Sequence, residues 1–139
     1  MTTRGTTTTK PVLSLADARS RYEAAAGVLN PRVASLKHAL TADSGDFVKL
    51  KGDYQALADA YREFDAALRQ MALPDPSSKD APELLKADTI LELVLQSAAY
   101  SANRDSMAND EAHIASAASI RVGYAKQLRT DLGLANNEP

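Results

Sequence analysis

The sequence has no cysteine, so neither disulfide bridges nor thiolate chemistry is available to it. It has little histidine: His38 and His113 are the whole supply. Glycine and proline number six each and fall largely between stretches of apolar periodicity, which leaves those stretches free to be helical. Neither sign of charge prevails. Sixteen Lys and Arg are dispersed among 18 Asp and Glu for a net charge of −2, which supplies no electrostatic attraction for nucleic acid or an anionic membrane. Long apolar runs are missing as well. Nothing approaches the roughly 18 to 20 continuous apolar residues that span a bilayer, and Met1 to Leu13 lacks the apolar centre of a signal peptide.

What is present is helical. The chain of 139 residues is 45% hydrophobic, long enough for one domain and too short for two ordinary ones, and it contains 26 alanines. Its organising stretch runs from Phe47 to Met71, where Phe47, Leu50, Tyr54, Leu57, Tyr61, Phe64, Leu68 and Met71 recur at steps of three and four. That is the stripe of a helix buried on one side. Burying such side chains is worth roughly 1.5 to 3 kcal/mol each, while ordering the backbone costs roughly 1 to 2 kcal/mol per residue. Over the whole stretch the ordering cost is the larger, so partner helices must supply the rest.

Taken in order, residues 1–13 are a Thr-rich leader without apolar periodicity, read as flexible: either a frayed terminus or a tether. A first helix is predicted from Ser14, with Ser14 as cap and a stripe of Leu15, Ala18, Tyr22, Ala25, Leu29, Val33, Leu36 and Leu40. Pro31 lies inside it and predicts a kink in one helix, because the stripe keeps its direction across the site. Thr41 to Gly45 forms a turn, and Ser44 or Asp46 caps the central helix. The run Leu73 to Lys79 is read as the longest loop, and a third helix is expected from Asp80, with Pro82 in its first turn. Leu84, Ala87, Leu91, Val94, Ala98 and Ala102 make its stripe, widened by Leu85, Ile90, Leu93 and Leu95. Asn103-Arg104-Asp105 breaks the pattern. A fourth helix follows from about Ser106 or Asn109, its apolar face gathering Ile114, Ala117, Ala118, Ile120, Tyr124, Ala125, Leu128 and Leu132. Gly133 and Leu134 fit a Schellman end, and residues 135–139 are a frayed tail. The expected fold is therefore all-α: residues 14–134 form an antiparallel up-down-up-down four-helix bundle, the first helix kinked at Pro31.

The same pattern argues against chemistry. The predicted stripes carry no carboxylate and the two histidines lie off them, so no metal site is expected. Met71 and Met107 sit near helix ends, where they read as core rather than haem ligands. No serine has a glycine elbow or a facing histidine. The expectation is a protein that is not an enzyme and uses no cofactor. Arg121 departs from the pattern, seven residues after Ile114 and seven before Leu128, in the middle of an apolar face. It is expected to pair with Glu23, Asp65 or Asp88; a sharper reading makes it the anchor for an acidic ligand inside the bundle. Leu93 and Tyr100, seven apart with Leu85 to one side, are a candidate stripe for a protein partner or self-association. Tyr22, Tyr54, Tyr61 and Tyr124 read as core aromatics.

The Thr-rich leader, the Ala-rich helix containing Asn30-Pro31, and the ending Arg129-Thr130-Asp131-Leu132-Gly133-Leu134 resemble the mature part of small actinobacterial lipoproteins of uncharacterised function. The resemblance implies export and a lipid tether ahead of the leader, with Met1 standing in place of the upstream segment; a cytoplasmic location is the alternative. It supplies no catalytic residues. Two functions are expected from this reading. The first is a non-enzymatic interaction or structural module at the cell envelope, and the second a binder of a small acidic or lipid-like ligand that uses the Pro31 kink and Arg121.

Overall fold

A computed structural model of the chain describes residues 11–135, and the sequence readings of residues 1–10 as leader and 136–139 as tail lie outside that range. Four helices follow one another: α1 (Leu15–Ala42), α2 (Phe47–Arg69), α3 (Ser77–Ala99) and α4 (Arg104–Asp131). The described residues contain no strand. The fold is an antiparallel four-helix bundle in which each helix packs along the next. Across to the first helix, the Arg129 guanidinium of α4 lies 5.7 Å from the Tyr22 ring centre on α1.

The helix starts follow from side-chain caps. Ser14 Oγ accepts the Asp17 amide at 3.1 Å, Asp46 Oδ1 the Lys49 amide at 3.1 Å, and Asn103 Oδ1 the Ser106 amide at 2.9 Å. Each satisfies an amide that the first turn leaves without an intrahelical partner. Asp46 rather than Ser44 therefore caps α2, and Asn103 starts α4 several residues before the predicted Ser106 or Asn109. The α4 end is a Schellman motif as read: Gly133 has φ +71°, its amide bonds Thr130 O at 3.0 Å, and the Leu134 amide bonds Arg129 O at 2.8 Å.

Two prolines sit inside helices without ending them. α1 runs unbroken through Pro31. Pro31 and Gly27 are both exposed, so the carbonyl that loses its amide partner lies on the solvent side. α3 begins at Ser77, not at the predicted Asp80, and has no side-chain cap. Its first turn is wound by the preceding loop: the Ser78 amide reaches Pro74 O and the Lys79 amide reaches Pro76 O, both at 3.0 Å, and Ser77 Oγ also donates to Pro74 O. Pro82 thus falls in the second turn, where it forgoes only the bond to Ser78.

The core follows the α2 stripe closely. Leu50, Tyr54, Leu57, Tyr61, Phe64 and Leu68 are buried, with Phe47 and Met71 half-buried at the ends. Elsewhere the predicted faces need rotation. Leu15, Ile90, Leu93, Ile120 and Tyr124 are exposed, whereas Met107, Arg121 and Arg129 are buried. On α4 the inward face runs Ala117, Arg121, Ala125, Leu128 and Leu132, which turns Ile120 and Tyr124 one residue out of it. Tyr124 is therefore no core aromatic. Leu13, assigned to the leader, is half-buried against the core and donates its amide to Ala72 O at 2.8 Å.

Candidate functional site

The interior is not uniformly apolar, contrary to the reading that no inward stripe carries a carboxylate. Asp65 of α2, Asp88 and Glu92 of α3, and Arg121 of α4 are all buried. Asp88 and Glu92 are four apart and so share one face of α3, while Tyr61, Phe64 and Asp65 share one face of α2. Arg121, which reaches Asp88 on α3 and the Tyr61 and Phe64 rings on α2, brings these two faces to one level of the bundle.

Arg121, 2% exposed, donates Nε–H to Asp88 Oδ1 at 2.8 Å. Its guanidinium carbon lies 5.3 Å from the ring centres of both Tyr61 and Phe64, so the charge is held by a carboxylate and two aromatic faces together. Of the three predicted partners Asp88 forms this bond, and Glu23 is exposed on α1. At the edge of this layer Arg62 Nε lies 3.8 Å from Glu92 Oε1, and its guanidinium also bonds Gln96 and Asp59. Burial first, then hydrogen bonding to the Asp88 and Glu92 carboxyls, then their charges, push the Asp65 carboxyl up to about 11.

A second polar group joins α2 to α4 near the other end of α2. Tyr54 Oη donates to Glu111 Oε2, and Arg104 donates to Glu111 Oε1 at 2.8 Å. Burial, then the hydrogen bond to Glu111, raise the Tyr54 hydroxyl above its ordinary range. Burial alone would raise Glu111, but the bonds from Tyr54 and Arg104 outweigh it and hold this carboxyl below its ordinary value. Around the α1–α2 turn, burial and then Asp43 raise Asp53 to about 6. Arg129 is buried over Tyr22 and donates Nε–H to Ala135 O at 2.5 Å, which ties down the chain beyond α4.

The candidate outer stripe is where the spacing put it. Leu93 is 63% and Tyr100 71% exposed, and Ile90 extends the stripe at 58%. Leu85, to one side, is half-buried and packs on the core. Beside Pro31 a cavity of about 160 Å³ opens between α1 and α2, lined by Ala25, Val28, Leu29 and Phe64 among others. Arg32 and Glu63 also line it, paired at 2.9 Å. Arg121 is on α4 and is not among its walls.

Glu92 and the inward placement of Asp65 and Asp88 are what sequence reasoning missed. The signal was available: Asp88 is four residues after Leu84 and three before Leu91, on the same face as both. Among the described residues no three His, Asp or Glu side chains are placed to hold a metal ion, and no helix is long and apolar enough to cross a membrane. No protein-family model, curated protein or solved structure matches the chain.

Proposed function

We propose that the chain is a non-enzymatic helical-bundle module that works by contact with protein, exported and held at the cell envelope. The observation that carries the contact is the outer face of α3. Ile90, Leu93 and Tyr100 stand three and seven residues apart, each more than half exposed, on a helix whose opposite face is the core. Such a stripe is self-complementary. A second copy laid antiparallel sets the Tyr100 end of one helix against the Ile90 end of the other, as a two-fold contact requires. The envelope location is supported by the resemblance of the leader, the Asn30-Pro31 helix and the closing Leu-Gly-Leu segment to small lipoproteins; a lipobox in the upstream genomic sequence is the expected finding.

Sedimentation of the parent and of Leu93→Lys at high concentration tests the contact. The parent is expected at the mass of two chains and the variant at one, with equal helicity. A parent that stays single at high concentration, with the variant unchanged in mass, ends this reading. The cavity beside Pro31 favours a second reading, a binder of a small acidic or lipid-like ligand. It is told apart by thermal melting with short-chain acids and lipids, because a ligand bound only by the folded state adds RT ln(1 + [L]/Kd). The contact module should not shift.

A further inference from the structure

The charges of the buried layer do not balance if every carboxyl is ionised. Asp65, Asp88 and Glu92 bring three carboxyls, against Arg121 inside and Arg62 at the edge. Asp65 is 1% exposed, and neither of its oxygens meets a hydrogen-bond donor; Asp88 Oδ2 and Glu92 Oε2 also lack one. An ionised carboxylate buried with no donor is among the costliest groups a fold can keep. A carboxylic acid in the same place turns the deficit into a bond, because it donates to a neighbouring carboxylate that needs a donor.

We infer that Asp65 carries a proton in the folded protein at neutral pH, donates it in a hydrogen bond to one of the two facing α3 carboxylates, Asp88 or Glu92, and thereby clamps α2 to α3 in a joint that alkali loosens. The groups around this proton come from every helix. α3 presents Asp88 and Glu92, α4 presents Arg121, and α2 itself adds Tyr61 and Arg62. From α1 comes Tyr22, edge-on to Phe64 with Arg129 over its ring. Burial and the two facing carboxyls act in the same direction on Asp65.

The sign follows from linkage. Asp65 ionises with an ordinary value of 3.8 when unfolded and is raised to about 11 when folded. Its contribution to stability is therefore complete below the unfolded value and is lost as pH rises toward the folded one. Across that window the folded state holds one proton more than the unfolded state, so the unfolded-to-folded ratio rises about tenfold per pH unit from this group. Deprotonation sends the proton to solvent and leaves three carboxylates facing one another. The inference concerns the inside of the bundle and stands whether or not copies meet on the outer face of α3.

Two measurements on the full chain test it. The side-chain carboxyl carbon of Asp65, assigned by NMR in the parent, is expected at the position of an un-ionised acid at pH 8; an ionised position there overturns the inference and requires no substitution. Urea unfolding of the parent and of Asp65→Asn from pH 5 to 9 supplies the energetic counterpart. The amide keeps the donor without the titration, so the variant is expected to fold and to lose about one power of ten per pH unit from the parent's dependence. Equal slopes overturn the inference. So does a parent whose slope vanishes when sodium or calcium is added, because a metal ion would then occupy the layer.

Discussion

The bundle contains two polar joints that look alike on paper and differ in what surrounds them. Both place an arginine on α4 against a carboxylate. Arg121 meets Asp88 at 2.8 Å and Arg104 meets Glu111 at 2.8 Å. The first pair is 3% and 0% exposed at its side chains, and the second 48% and 29%. Equal distances thus carry unequal consequences. In the inner joint each charge depends on its partner, because water cannot replace it; in the outer joint water is at hand and the attraction is screened. The inner joint is a constraint on which helices can be neighbours, and the outer one is an adjustment at the end of a seam.

The largest expected effect comes from breaking the inner joint on one side only. Arg121→Met keeps an unbranched apolar stem and removes the charge, leaving Asp88 buried beside Asp65 and Glu92. Urea unfolding at neutral pH should show a loss of about 3 to 5 kcal/mol, the range for a buried charge stripped of its partner. Combining Arg121→Met with Asp88→Leu should restore most of that loss, since a pair replaced by packed apolar groups is often neutral or better. A single change that costs under about 1 kcal/mol would mean that water reaches Asp88, and the contrast between the joints would fail.

Tyr54→Phe probes the outer joint and should be milder. The phenol is 5% exposed, but its acceptor Glu111 keeps Arg104 and some solvent, so the variant loses one hydrogen bond without leaving an unpaired buried charge. Thermal and urea unfolding should register about 0.5 to 1.5 kcal/mol. A loss as large as that of Arg121→Met would put the two joints in one class.

The ease with which these regions can be read from sequence differs for the same reason that their energetics do. The α2 stripe was legible because large apolar side chains at steps of three and four have one stable use, and six of its eight residues are buried. Caps at Ser14 and Asp46 and the Gly133 end were legible because backbone geometry at a terminus demands those residue types. The inner joint was half legible. Arg121 stood out on an apolar face, but Asp65 and Asp88 have the residue type of a solvated surface, and only a partner on another helix makes them interior. Periodicity reports one helix at a time. Ile120 and Tyr124 were misplaced by the same limit: the α4 face is centred on Arg121 because Asp88 holds it there, and that displaces its apolar neighbours outward. The α3 start was missed because a loop, not a side chain, caps it.

Acidity should separate the surface from the interior further. Asp53, raised to about 6 by burial and by Asp43, favours folding while protonated; that contribution is lost as pH rises from the ordinary aspartate value through 6. Asp53→Asn removes the titration. Melting temperatures of parent and variant should lie close together at pH 4.5, and the variant should melt higher at pH 7. Equal melting at both values would place Asp53 in water.

The smallest effect is expected from Arg104→Ala. Arg104 is the first residue of α4, where the helix dipole presents its positive end and disfavours a cation. Removing it relieves that opposition while breaking the bond to Glu111, so the two changes act against each other and stability should scarcely move, least of all at high salt. The titration of Glu111 should move instead. Its carboxyl is held below the ordinary range partly by Arg104, so the variant should protonate at higher pH in an NMR titration. Burial is the largest single influence on Glu111 and the Tyr54 bond alone is smaller, so the carboxyl should rise to its ordinary value or above. The contribution that the lowered carboxyl makes to the parent, present above the unfolded value and lost as pH falls through the folded one, should therefore vanish in the variant. An unchanged Glu111 titration would mean that Tyr54 alone holds this carboxylate, and that the outer joint is a tyrosine bond with an arginine merely beside it.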